Sequence, residues 1–253
     1  MTLPNTIIAG APRCGTSSLF ATLAYHPQVC SADRKELHYF DQHHGQGDLW
    51  YAKHFSHCTA ETVILEKTAG YFFRTGVVQR LRNTLPNTRL LFLLRNPVDR
   101  ALSHYYTLQT HNKIPSELPF EQAIVNYPEL LAIGHYIRHL ERFHEHFSDS
   151  QISIWLFEEM LANPADFYSQ LFEALGIDPY PAILTKMVDR NQASSRRKRS
   201  WKTLLGLAHD PTGYPAMEIA TRKQLNAYFS ESIKRLTQRY GINLSCWQDD
   251  GVS

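Results

Sequence analysis

Between an apolar run and a helix-period segment, residues 10–18 read "GAPRCGTSS", with two glycines, an arginine and three hydroxyl side chains in close succession. Glycine permits positive φ and a close approach of backbone to ligand. A helix opening at Thr16 or Ser17 aims its first N–H groups and the positive end of its dipole at the loop, which makes an anion site. The hydroxyls of Thr16, Ser17 and Ser18 can add hydrogen bonds to phosphate oxygens. Gly10 to Ser17 fits the phosphate-loop spacing G-x-x-x-x-G-K-[ST], except that Thr16 stands where the lysine belongs. In ATPases and GTPases that lysine reaches the β- and γ-phosphates, and the next hydroxyl holds magnesium. Arg13 offers another solution: a forked cation able to touch the oxygen between a phosphate and the group leaving it. This suits a donor with one 5′-phosphate and no metal. On this stretch alone, an ordinary strand–turn–helix remains an equal reading.

A second constellation lies in "RLLFLLRNPVDRALSHYY". A buried strand runs into Arg95, Asn96 and Pro97, and the helix that follows carries Ser103. A charged residue at the carboxyl end of a parallel strand sits where such sheets bind ligands. Ser103 lies roughly two helical turns beyond Arg95.

The elements that must position these residues follow from the hydrophobic pattern. Short apolar runs at Thr6–Ala9, Thr62–Leu65, Arg89–Leu94 and Gln151–Leu156 read as strands covered on both faces. Helix-period segments follow at Ser17–Tyr25, Thr75–Leu85, Val98–Thr110, His135–Phe147, Ala165–Leu175 and Pro215–Tyr240. The alternation predicts an α/β, P-loop-like three-layer fold, its central parallel sheet flanked by helices. With neither repeat nor low-complexity linker, one domain over residues 1–253 is expected.

Composition is permissive. A net charge of +2 and a hydrophobic fraction of 43% describe a globular chain in which anion binding comes from local placement. The glycine loop begins too early to leave room for a signal peptide, and no apolar run approaches the roughly 20 residues of a membrane span. Cys14, Cys30, Cys58 and Cys246 are scattered without a C-x-x-C pair, so reduced thiols in a cytoplasmic protein are expected, with neither zinc nor disulfide framework. The basic run Arg196–Arg199 lacks interleaved aromatics and makes a poor nucleic-acid site.

Taken together, "GAPRCGTSSL", "KELHYFD", "EKTAGYF", "LLRNPVDRALSHY" and "GHYIRHLERF", in that order and closed by Trp247 after a long helix, resemble the sulfotransferases that use 3′-phosphoadenosine 5′-phosphosulfate (PAPS). The likeness is strongest to heparan-sulfate-type enzymes and their bacterial relatives. It implies that Gly10, Ala11, Pro12, Arg13, Cys14, Gly15, Thr16, Ser17 and Ser18 cradle the 5′-phosphosulfate. Arg95 and Ser103 would then grip the 3′-phosphate, with Arg196 and Arg199 as candidates to close over it. A nucleotide with phosphates at both ends needs two anion sites and no Walker lysine.

By the same resemblance, Glu36 is the catalytic base, Lys35 faces the donor sulfonate and Lys67 borders the acceptor cleft. His38 is the runner-up base, because imidazole titrates near neutrality. Arg13, where related enzymes often carry lysine, would neutralise the leaving phosphate of 3′-phosphoadenosine 5′-phosphate electrostatically. No metal is required, and His43 and His44 read as surface residues. The acceptor is a hydroxyl, less readily an amine, on a glycan, small metabolite or lipid, with neither nucleic acid nor stable membrane insertion involved. Two rivals stand beside this: a P-loop small-molecule kinase, disfavoured by Thr16, and a non-catalytic nucleotide-binding scaffold, disfavoured by Arg13, Lys35 and Glu36 together.

Overall fold

The computed structural model describes residues 1–183 and 217–247; Arg196 and Arg199 lie outside them. Five strands, β1 (Thr6–Gly10), β2 (Val29–Ser31), β3 (Val63–Lys67), β4 (Arg89–Leu94) and β5 (Ile152–Leu156), form one parallel sheet in the order β2-β3-β1-β4-β5. In chain order the helices are α1 (Thr16–Leu23), α2 (Asp48–Lys53), α3 (Val77–Thr84), α4 (Pro97–Thr110), α5 (Phe120–Asn126), α6 (Glu129–Ala132), α7 (Tyr136–His144), α8 (Phe157–Ala162) and α9 (Pro164–Leu175). The last described helix, α10, is Ile219–Tyr240. The fold is α/β and P-loop-like, a parallel sheet flanked by helices, as the alternating pattern predicts.

These residues fall into two compact units. The first holds residues 1–94 and 142–183 and contains the whole sheet. Every residue of β1 is buried, which is why Ile7, Ile8 and Ala9 run consecutively apolar instead of alternating. Thr6 pairs with Leu65 of β3 on one side and with Arg89 of β4 on the other, so the chain's first strand is the middle of the sheet. At the end of β1 the Phe72 side chain packs against Gly10 so closely that a Cβ there would lie 2.5 Å from the Phe72 Cβ and 2.7 Å from its ring, which restricts the position to glycine.

The second unit holds residues 95–141 and 217–247. Its core gathers Val98, Ala101 and Tyr105 of α4, Phe120 and Ala123 of α5, Leu130 of α6, and Leu225 and Phe229 of α10. Asn96 caps α4, its side chain accepting from the Val98 N–H at 2.9 Å while its amide donates to the Trp247 carbonyl at 3.1 Å. Pro97 takes the first helical position, where a missing N–H costs nothing. Among the described residues, no helix is long and apolar enough to cross a membrane.

Two expectations need correction. Cys30 and Cys58 form a disulfide, so these thiols are not reduced, and the thiol argument for a reducing compartment falls. Cys30 lies in β2, and Cys58 follows the turn in which its N–H bonds the Phe55 carbonyl; their Cα atoms are 5.7 Å apart. The proximity comes from the fold, and spacing alone could not reveal it. His43 and His44 are half-buried, with ring contacts to Trp50 at 5.4 Å and Tyr39 at 5.3 Å, and are not plain surface residues.

Candidate active site

The glycine loop joins β1 to α1, and the Ala11 N–H ties it to the Leu93 carbonyl of β4 at 2.9 Å. Gly15 caps α1 at φ 86°, where a Cβ would also sit 2.6 Å from Phe157, so the turn into the helix requires glycine twice over. The first turn of α1 carries no acidic side chain, which leaves its dipole available to an anion. Arg13, half-buried, is held at φ 71°.

Glu36 reaches the same place by a different route. Leaving β2, the chain continues beside β3: the Ala32 N–H bonds the Leu65 carbonyl at 2.9 Å and the Glu36 N–H bonds the Lys67 carbonyl at 3.0 Å. That register sets Glu36 beside Lys67. The Lys67 ammonium, 4% exposed, donates to one Glu36 carboxylate oxygen and, at 3.0 Å, to Ser17 Oγ in the first turn of α1. The other Glu36 oxygen accepts the Ala69 N–H at 3.2 Å. His38 lies alongside, its Nδ1 3.0 Å from Asp41 and its Nε2 3.9 Å from the Glu36 carboxylate.

The backbone singles out the same residues. Of the four non-glycine residues at positive φ among those described, three are Arg13, Glu36 (φ 54°) and His38 (φ 53°). The fourth is Asn112 beyond the end of α4, a residue type that takes this conformation readily. Each such residue costs of order 1–3 kcal/mol, and residues of this kind collect where function fixes geometry.

Behind Lys67, β3 turns Glu66 and Thr68 to the opposite face, as strand alternation requires. Glu66 is fully buried; it accepts the Tyr51 hydroxyl at 2.5 Å and the Thr68 hydroxyl at 2.7 Å, with the Tyr71 hydroxyl nearby. Burial pushes its carboxyl up from 4.5 to about 7, against the three hydroxyls that favour the charged form. The folded state therefore holds this proton more tightly than the unfolded chain. The resulting stabilisation is full below pH 4.5, declines as pH rises to about 7, and is gone above it. A shift of that size corresponds to about 3 kcal/mol. The urea midpoint of the wild type should therefore fall between pH 5 and pH 8 more than that of Glu66→Gln, which carries no titrating group there.

The remaining sequence candidates are placed as follows. Lys35 is exposed on the segment leading to Glu36. Arg95 and Ser103 belong to the second unit: Arg95 is 5% exposed, with its carbonyl accepting the Tyr136 hydroxyl at 2.7 Å, and Ser103 is half-buried on α4. Cys30, His57 and Cys58 bring metal-type donor atoms within 4.8 Å of one another, but two of the three are spent on the disulfide. Sequence reasoning missed the Ser17–Lys67–Glu36 linkage and the polar cluster on Glu66. The alternation in "EKT" was the available signal, since it sends Lys67 one way and Glu66 and Thr68 the other.

Comparison with known proteins bears on this arrangement. The family model described as "Sulfotransferase domain" matches residues 3–209. A membrane-associated sulfotransferase, kil1, of Dictyostelium discoideum is 38% identical over 152 residues, covering 57% of this chain and 32% of that protein. The human heparan sulfate glucosamine 3-O-sulfotransferase 3B1 is 30% identical over 182 residues, covering 69% of this chain and 46% of the relative. The chain thus spans less than half the length of either. Among solved structures, a sulfotransferase from Alicyclobacillus acidocaldarius superposes with a TM-score of 0.78 at 25% identity, covering 98% of this chain and all of the other. Mouse sulfotransferase SULT7A1, complexed with PAP, shares the fold at a TM-score of 0.58 and 14% identity, covering 94% of this chain and 86% of the other.

Proposed function

Because the chain belongs to the sulfotransferase family and is accordingly a transferase enzyme, we propose that it moves a sulfonate group from PAPS to a hydroxyl of a carbohydrate acceptor. The observation that carries this reading is the Ser17–Lys67–Glu36 linkage, which joins a phosphate-type loop to a carboxylate through one buried ammonium. A loop that only binds a nucleotide has no use for the carboxylate. Hydroxyls, Arg13, Lys67 and a helix start free of acidic side chains suit a phosphosulfate at the loop.

PAPS supplies an activated sulfonate on a phosphate leaving group. Transfer by in-line displacement leaves the protein two tasks, positioning and charge stabilisation. On this reading, Arg13 holds the charge that develops on the leaving phosphate, and Glu36 takes the acceptor's proton. Lys67 orients Glu36 and supplies positive charge where the sulfonate passes. His38, oriented by Asp41, is the second group able to take a proton there. Arg95 and Ser103 hold the 3′-phosphate, a role that rests on the sequence resemblance. The carbohydrate class is supported by the heparan sulfate 3-O- and N-sulfotransferases among the relatives.

Binding of adenosine 3′,5′-bisphosphate tests the donor. Tight binding without magnesium is expected, whereas magnesium-dependent ATP binding in its place would favour a kinase. Arg95→Ala should weaken that binding about ten- to a hundredfold, the loss of one charge-assisted contact. Calorimetry should show adenosine 5′-phosphate, which lacks the 3′-phosphate, losing little. An equal loss for both nucleotides would overturn the assignment of Arg95. Acceptors are identified by incubating candidate glycans with PAPS and reading the mass gain of one sulfonate.

A further inference from the structure

The segment that carries Glu36 and His38 at positive φ needs something to hold it there, and the polar cluster behind β3 meets that need. The Thr68 hydroxyl gives its proton to Glu66 at 2.7 Å, leaving its lone pairs to accept the His38 N–H at 3.3 Å. The Tyr71 hydroxyl accepts the Phe40 N–H at 3.3 Å. Tyr51, on α2, occupies the other Glu66 oxygen at 2.5 Å. A hydroxyl has one proton to give. With the Thr68 proton directed at Glu66, the Thr68 oxygen is left as an acceptor facing the 36–41 backbone.

We propose that Glu66 is a positioning residue: through Thr68 it fixes the backbone at His38, and thereby sets the Glu36 carboxylate in place against Lys67. Glu66 itself, 0% exposed and on the opposite face of β3 from Lys67, touches no substrate. The catalytic consequence rests on the role proposed for Glu36; the anchoring of the backbone does not, and the two are measured separately.

Four variants separate the links. Thr68→Val removes the acceptor for the His38 N–H, and Thr68→Ser restores it. Tyr71→Phe removes the acceptor for the Phe40 N–H. Glu66→Gln opposes a hydroxyl proton with an amide N–H, disturbing the Thr68 link. Hydrogen exchange resolved to single amides should speed up about tenfold at His38 in Thr68→Val and in Glu66→Gln, and at Phe40 in Tyr71→Phe, with Thr68→Ser close to wild type. Turnover should drop about ten- to a hundredfold in Thr68→Val and Glu66→Gln, the cost of displacing a reacting group by about an ångström. The dissociation constant of adenosine 3′,5′-bisphosphate should stay within about twofold, and Thr68→Ser should recover the rate. Unchanged exchange at His38 in folded Thr68→Val and Glu66→Gln overturns the inference. So does faster exchange with unchanged turnover when Glu36→Gln is crippled. Should Glu36→Gln itself turn over normally, the base assignment fails, and the exchange data still decide whether Glu66 anchors the segment.

Discussion

Glu36→Gln should slow sulfonate transfer by about 10²–10⁴ at saturating donor and acceptor, the range expected when a general base is removed. The amide keeps the shape of the side chain, and its one oxygen can still accept from Lys67, which is tied to Ser17 of the loop, at the cost of setting its NH2 against the Ala69 N–H. Donor affinity should therefore stay near the wild-type value, and the loss should fall on kcat. The competing base is on the same segment. His38 is held by Asp41 through Nδ1 at 3.0 Å, an arrangement that orients an imidazole for proton transfer. His38→Ala is expected to cost far less, because on the proposed assignment that ring only lines the site. The ratio of the two losses decides. A crippling His38→Ala beside a mild Glu36→Gln moves the base to the histidine and rejects the reading of "KELHYFD".

Arg13→Ala should cost about 10²–10³ in kcat, the scale for removing one preorganised group aimed at developing charge. The guanidinium matters most as the bond to the leaving phosphate breaks, so donor binding should weaken only modestly. Arg13→Lys should restore part of the rate, since an ammonium supplies the charge without the fork. The positive φ at this position is paid in either variant, so neither confuses backbone strain with lost charge. A variant that binds donor poorly yet turns over normally at saturation would remove Arg13 from the chemistry and leave it a binding residue.

The parallel sheet was legible because β1 and β4 carry near-continuous apolar runs, and β4 runs over Arg89–Leu94 as its sequence indicates. β2 was not, since three residues, "VCS", carry no period. Helices as short as α6, four residues, fail for the same reason. At the site, the glycine loop announced itself through local spacing. The Lys67–Glu36 pair did not, because the two residues meet only when the segment after β2 takes its register on β3. Glu66 shows its role only with its hydroxyl partners in view; Tyr51 reaches it from α2, an element the pattern did not reveal. The disulfide was invisible for a similar reason, as it depends on where β2 lies.

The central place of β1 has a consequence for how the chain acquires its structure during synthesis. The strand made first is the one whose two neighbours, β3 and β4, are made much later, with β2, α1 and α2 in between. Until Leu65 and Arg89 have emerged, Thr6 and the residues after it have neither partner, and both edges of an apolar strand stand open to other chains. Pairings this distant in sequence incur their loop-closure entropy before any contact rewards it, so the sheet assembles slowly. The glycine loop inherits that delay, because the Ala11 N–H cannot find the Leu93 carbonyl before β4 docks. Nascent chains halted before β4 should therefore be caught by chaperones or aggregate, and the capacity to bind nucleotide should arise only after that strand has joined the sheet.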